Sequence, residues 1–248
     1  MSLSTADCLA AISRYSGAFA DAAEGNLTAR VEHCPEWDVA DLVHHLSNVH
    51  WFWGTIAQGT LASPPAESGR PARAADDDLV DTFRAGAARL VEILGTADQT
   101  AACWTWFPDQ QDVAFITRHQ VQEAAVHAWD SVHAAGRTLE IDPVVAADSV
   151  DEFLTVSLPD EEDAERDGLT ALDGPLVLAT TDTGDTWTVE DGRVPGSMIG
   201  SRGAVTDGPR VAGPASGLIL WLYGRVEIDL GEAPPDLVAR FRGQTSTD

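Results

Sequence analysis

His119, Glu123, His127 and Asp130 recur at three- and four-residue intervals within a largely apolar stretch, 111–135. On a helix that advances about 100° per residue, the four side chains fall within an arc of about 80° and form one polar stripe. Glu123 and His127 are an i, i+4 pair, the spacing that lets two helical side chains grip one ion. The same pair on a solvated face would be an ordinary Glu–His contact, and the spacing alone does not separate the two readings. A second source of donors is Asp41-Leu42-Val43-His44-His45-Leu46-Ser47-Asn48-Val49-His50. Adjacent His44 and His45 point about 100° apart, so at most one shares a face with Leu42 and Val49. In a helical bundle, neighbouring helices project inward, and one imidazole from this segment would complete a three-donor set with the pair. Two imidazoles and a carboxylate leave coordination positions open, which is the arrangement of a catalytic ion.

The elements that must position these residues follow from apolar spacing and capping chemistry. From Thr5 to about Leu158 the period is helical. A first helix runs from about Ala6 to Ala23. A loop containing Cys34-Pro35-Glu36-Trp37 follows, and Asp38 is a natural N-cap for a second helix through Gln58. The Pro/Ala/Gly/Ser-rich stretch from Thr60 to Ala75 reads as a loop. A third helix opens on Asp76-Asp77-Asp78, where anions suit the helix dipole, and continues to about Leu94. The stripe lies on a fourth, about Gln111 to Ala135, stopped by Gly136. A fifth begins at Asp142-Pro143 and runs to Ser157. The charged segment after Pro159 reads as helix-poor and is taken as a linker, 159–169. Beyond it the period shifts to that of strands at Leu176–Thr181 and Thr186–Val189, joined by a turn at Asp182–Asp185, with a further strand near Arg210–Ala212. A short apolar helix, Ala215 to Tyr223, ends at Gly224. The expectation is an α+β protein: a four-helix bundle over 1–158, the acidic linker, and a smaller α/β domain over 170–248.

Composition narrows the chemistry. The 248 residues carry 40 acidic and 15 basic side chains, a net charge of −25, and all 15 basic residues are arginine. Such a surface repels phosphate backbones, and no arginine stripe offsets it, so a nucleic-acid partner is not expected. The absence of lysine excludes Schiff-base, Walker-type and lysine-dyad chemistry. The composition, rich in Ala, Gly, Arg and Asp, is that of a G+C-rich coding genome. Three cysteines, Cys8, Cys34 and Cys103, form no CxxC pair. A disulfide scaffold is therefore not expected, and a reducing cytoplasm is. The first 25 residues have no basic region of the signal-peptide kind, and no apolar run is long enough to span a bilayer.

Pro35-Glu36-Trp37-Asp38-Val39-Ala40-Asp41-Leu42-Val43-His44-His45-Leu46 resembles a signature of the mycothiol-dependent maleylpyruvate isomerase-like proteins, within the DinB-like helical-bundle superfamily. Gln122-Glu123-Ala124-Ala125-Val126-His127-Ala128-Trp129-Asp130 resembles their second signature. The segments 139–143, 147–154 and 213–225 are also similar to the family, in the same order, so the resemblance covers nearly the whole chain. It implies a DinB-like bundle followed by a small α/β domain. It also implies a divalent ion, usually zinc, on His45, Glu123 and His127. The family's C-terminal arginine, linked to thiol-cofactor binding and activity, falls on Arg225; the other reading of Arg225 is a cation capping a helix C-terminus. A further binding arginine belongs to the loop before the third helix, where Arg70 and Arg73 both occur; Arg73 is carried as the cofactor-binding candidate. Gln122 stands where many relatives have His or Arg, a departure beside a ligand.

The activity implied is thiol chemistry. The ion would bind the thiol of mycothiol and lower its pKa, and the thiolate would attack a small electrophile, giving cis–trans isomerisation or S-transfer. A non-catalytic metal- or ligand-binding module and a thiol-independent metallohydrolase are the alternatives. The partners expected are a small-molecule thiol and a small electrophile, in a monomer or homodimer. Among the remaining residues, Asp130 is placed to fix the tautomer of His127, and His119 either orients a ligand or ends the stripe. His33 falls in a loop, His44 and His133 on the solvent side, and His50 has no assigned role. Trp51-Phe52-Trp53 and Trp104-Thr105-Trp106-Phe107 read as core.

Overall fold

The computed structural model describes residues 3–203 and 208–245. It divides into two compact units, one ending at Ile141 and the other beginning at Asp142. The first consists of four long helices: α1 (Thr5–Ala23), α2 (Val39–Gly59), α3 (Asp76–Thr96) and α4 (Val113–Ala134). α1 packs on α4 and α3, and α2 packs on α3 and α4. Each helix start has a physical cause. Ser4 and Asp7 form a capping box on α1, Asp38 and Asp41 form one on α2, and the Asp112 carboxylate accepts the Phe115 N–H of α4. α3 lacks a side-chain cap but opens on Asp76, Asp77 and Asp78, which suit the positive end of its dipole. α4 starts two residues later than its apolar pattern suggests, because Asp112 rather than Gln110 supplies the cap. It stops before Gly136, which takes a φ of 69° that a side chain would disfavour.

α4 is the central element of this unit. Sixteen of its 22 residues are buried, including His119, Gln120, Gln122 and Asp130. A helix buried nearly all round has no solvated face on which to place polar side chains, so each one must be held within the protein.

The second unit contains α5 (Pro143–Val156), α6 (Glu161–Asp167), α7 (Ala215–Leu222), α8 (Pro235–Gln244) and a four-stranded sheet. Its strands are β1 (Leu176–Thr180), β2 (Thr186–Asp191), β3 (Met198–Arg202) and β4 (Arg210–Gly213), in spatial order β3-β2-β1-β4. β1 pairs antiparallel with β2 through Leu178↔Trp187, and β2 antiparallel with β3 through Val189↔Gly200. β4 runs parallel to β1 with Leu178 opposite Val211. The α+β class is therefore as expected. Among the described residues no helix is long and apolar enough to cross a membrane.

Two expectations are corrected. α5, expected to belong to the bundle, packs instead on α7, β2 and β3. Its buried Phe153 meets the Tyr223 ring edge-on at 5.3 Å, and Asp151 Oδ1 accepts the buried Trp187 indole N–H at 2.7 Å and an Arg202 N–H at 2.9 Å. The unit boundary thus lies at Ile141/Asp142, ahead of the charged segment expected to separate the domains. That segment is not an irregular linker either. Asp160 and Asp163 form a capping box, three acids occupy the first turn, and Arg166 lies in the last, which stabilises the short helix α6.

β3 and α8 have no counterpart in the sequence reading. In β3 the sequence Met-Ile-Gly-Ser-Arg lacks a strand pattern because Gly200 is dictated by packing: a Cβ there would come within 1.6 Å of the Leu154 carbonyl oxygen of α5. Backbone cannot yield by that much, so Gly200→Ala is expected to lower stability by about 3 kcal/mol, seen as a lower urea midpoint at unchanged slope. Gly217→Ala should do the reverse. It lies inside α7, where an added Cβ would meet nothing closer than 3.9 Å. A gain of about 0.5–1 kcal/mol is expected there from the lost flexibility of the unfolded chain.

Candidate metal centre

Two local features of the chain deliver the first donor. The loop before α2 is tied by hydrogen bonds from Val31 N to Trp37 O at 3.1 Å and from Val39 N to Ala29 O at 2.9 Å. The Asp38–Asp41 capping box then fixes where α2 begins and hence which residue of the His44–His45 pair turns inward. His45 is that residue. Its ring lies 4.9 Å from the Trp37 ring and 5.0 Å from that of His127, the latter edge-on at 76°. His44 turns away and meets the Asn48 side chain at 3.1 Å.

α4 delivers the other two. One donor atom each from His45, Glu123 and His127 lie within 4.8 Å of one another, and His127 Nε2 stands 3.6 Å from Glu123 Oε2. Donors of a tetrahedral ion at about 2.1 Å are about 3.4 Å apart, so modest side-chain rotations would close the set around one ion. The structure thus brings together the three residues that sequence spacing paired in part and the resemblance joined.

The surroundings prepare these groups for that role. Asp130, its side chain fully buried, meets His127 Nδ1 at 3.1 Å. A carboxylate accepting the Nδ1–H leaves the Nε2 lone pair on the Glu123 side, where an ion would sit. On the other flank, His119 Nε2 stands 3.5 Å from Glu123 Oε1. Its ring is boxed by Trp53, Trp106 and Phe115 at 5.5–5.9 Å. His119 therefore turns toward the glutamate and does not join the three-donor set. Burial pushes the His45 pKa down to about 4, and the neighbouring His127 pushes the same way, so its ring is neutral with a lone pair available at neutral pH. Burial works against an ionised Glu123, but His119, His127, His45 and His50 outweigh it and hold the carboxyl below its ordinary range. Two imidazoles and one carboxylate are a donor set that fits a borderline divalent ion such as zinc.

The remaining candidates occupy other places. Arg73 donates to Asp41 Oδ1 at 2.6 Å and reaches Asp76 Oδ1 at 3.6 Å, tying the loop before α3 to the capping box of α2. Arg70 is held by Glu67 at 2.7 Å, with its guanidinium 5.9 Å from the Trp51 ring centre. Arg225, in the second unit, is 7% exposed and donates Nη1–H to the Tyr223 carbonyl at 2.7 Å, the contact of a C-terminal helix cap. Cys103 is buried, which raises its thiol pKa, and neither three-donor group among the described residues includes a cysteine.

His50 is the residue that sequence reasoning passed over. It is 2% exposed, neither ring nitrogen has a hydrogen-bond partner, and burial depresses its pKa to about 4. It lines a cavity of about 380 Å³ between α2 and α3, bounded also by His44, Asn48, Trp51, Leu79 and Leu90. That cavity includes none of the three donors. The i, i+5 spacing from His45 gave no signal, because it belongs to no one face of a helix.

Residues 8–131 match the family described as "Mycothiol maleylpyruvate isomerase N-terminal domain". The chain belongs to this family. No curated protein matches the chain. Among solved structures, it is similar to the mycothiol-dependent maleylpyruvate isomerase, with a TM-score of 0.62 at 14% identity, covering 94% of this chain and 95% of that one. A mutant of the mycothiol-dependent maleylpyruvate isomerase gives a TM-score of 0.60 at 14% identity, covering 94% and 97%. At this identity the likeness concerns the fold, and it extends beyond the family match to both units.

His127→Ala is expected to abolish stoichiometric zinc retention, measured by elemental analysis on untagged protein, while the helical circular-dichroism signal stays unchanged. Asp130→Asn keeps the shape but replaces the orienting carboxylate. It should weaken zinc affinity by about 10- to 100-fold without abolishing it.

Proposed function

We propose that the protein is a mycothiol-dependent, divalent-metal enzyme acting on a small electrophile, by cis–trans isomerisation or S-transfer. The observation that carries this reading is the convergence of His45, Glu123 and His127 from two helices inside the unit matched by the family. The names of the similar structures, which are mycothiol-dependent isomerases, supply the thiol and the reaction class.

Bound at this site, a divalent ion, zinc by preference, lowers the pKa of a coordinated thiol so that thiolate is available at neutral pH for addition to a polarised double bond. The protein's own residues do the rest. His45 and His127 would each offer an imidazole nitrogen and Glu123 a carboxylate oxygen to the ion. Asp130 holds the His127 ring in the productive tautomer, and His119 holds Glu123. No lysine exists in the chain to serve as base, and with a thiol so acidified none is needed. We assign anion binding to Arg225 and, from the loop before α3, to Arg73. Each would hold a carboxylate of cofactor or substrate, Arg73 by exchanging its contacts with Asp41 and Asp76 for that carboxylate. We place this activity in the cytoplasm, in keeping with three cysteines that are all free thiols.

The test is turnover of maleylpyruvate and related cis-alkenes by zinc-loaded protein, with and without mycothiol. Activity is expected only with the thiol, and His127→Ala should reduce it by at least about 100-fold. Turnover of an ester or amide without thiol would overturn the thiol-dependent reading in favour of a metallohydrolase. Metal binding with no turnover of any electrophile would leave a binding module.

A further inference from the structure

We infer that Glu32, His33 and His133 form a second, outer site for a borderline divalent cation such as zinc, nickel or copper, separate from the centre at His45, Glu123 and His127. One donor atom from each of the three residues lies within 4.8 Å of the others. The two sites share no residue. On α4, His133 lies six residues beyond His127, about 9 Å along the axis and about 120° around it, so the two imidazoles leave the helix in different directions.

The three donors are held by different means that converge on one point. His133, in the last turn of α4, stacks flat on Trp129, with ring centres 4.5 Å apart and planes 9° from parallel. Glu32 and His33 ride on the loop between α1 and α2. There Val31 is buried, its N–H bonds to Trp37 O, and its carbonyl accepts Cys34 N–H at 3.2 Å. His133 Nε2 meets Glu32 Oε2 at 2.8 Å, and the His33 ring lies 6.0 Å from that of His133 and 5.7 Å from Trp129. A Glu32–His133 ion pair by itself accounts for two of these residues. Ring packing on Trp129 and His133 brings the His33 ring alongside, and a cation would use all three donors at one point. Moving the 2.8 Å pair apart to the about 3.4 Å of two ligands on one ion needs only a small displacement of Glu32.

The side chains of Glu32 and His133 are 67% and 41% exposed, so the ion would keep waters in its remaining positions. Imidazole nitrogens favour zinc, nickel and copper over calcium and magnesium. Its structural effect would be to clip the α1–α2 loop to the end of α4. That loop also carries Trp37, whose ring lies against His45.

The experiment is zinc stoichiometry on the untagged full chain after equilibrium dialysis, comparing the unaltered protein with His33→Ala, His133→Ala, His127→Ala and the double variant His127→Ala/His133→Ala. Thermal unfolding of each reports that the fold is retained. The expected result is about two ions per chain, falling to about one in each single variant and to about zero in the double variant. An ion lost in His133→Ala but not in His127→Ala would support the outer site while removing the inner one, so the two readings fail independently. Zinc content unchanged by both His33→Ala and His133→Ala would overturn the inference and leave an ion pair alone.

Discussion

Glu123 sits half-buried in a helical bundle, its side chain 23% exposed, and a carboxylate there must be satisfied or neutralised. An unpaired buried charge costs several kcal/mol, more than a domain of this size can readily lose. The chain's answer is a ring of imidazoles. His119 and His127 approach from one turn on either side along α4, and His45 and His50 from α2. This arrangement holds the carboxylate ionised without an arginine or lysine partner, either of which would occupy the oxygens permanently. The His119 and His127 rings stand 3.5 and 3.6 Å from the carboxylate oxygens, close enough to support the charge and loose enough to leave room for a stronger cation.

The same constraint explains the supporting structure. A central helix with 16 buried residues cannot shift along its axis without displacing its whole packing surface, so α4 fixes the heights of Glu123 and His127. The position of His45 depends on where α2 starts, which the Asp38–Asp41 capping box sets. Asp41 has a second task, because its Oδ1 also receives Arg73 from the loop before α3. One carboxylate thereby ties together the start of α2 and that loop. Arg73's hydrogen bond to Asp41 holds that carboxyl below its ordinary range, so the tie persists well into the acidic range. Its exposure makes the stabilisation small.

Much of this arrangement was legible in the sequence, for reasons that differ from element to element. Asp38, Pro143 and Gly136 act through contacts within a few residues of themselves, so local chemistry predicts the helix ends they set, whereas the apolar pattern places the α4 cap two residues ahead of Asp112. Glu123 and His127 were legible because one helical turn places them together. His45 was not separable from His44 by spacing alone, since both fit the helix, and only a motif joined it to the pair. The failures have one cause. α5 left the bundle, β3 went unread, and His33 and His133 looked like isolated surface residues, because in each case the deciding contact is long-range. Gly200 is the sharpest instance, since its identity is set by a carbonyl 46 positions away in the chain.

A net charge of −25 at first sight opposes any reaction of an anionic thiolate or carboxylate. The objection weakens when distance and dielectric are considered. At physiological ionic strength, solvent screens charges beyond about 8 Å, so most surface carboxylates contribute little to the potential at a buried point. Several of them are further neutralised in place, as with Glu67 by Arg70 and with Asp21 and Glu24 by Arg84. Inside the bundle the effective dielectric is lower, and interactions over 3–5 Å decide the local field. The acids there are Glu123, in the donor set, and Asp130, engaged by His127. A dication at that point would balance these two acids only if others stayed away. All other residues of α4 between His119 and His127 are uncharged, and on α2 Leu42 and Val49 share the face of His45 with Asp41, whose carboxylate is engaged by Arg73. Most of the protein's acidity is thus a property of its surface, and the acids kept at His45 and His127 are Glu123 and Asp130, each facing an imidazole.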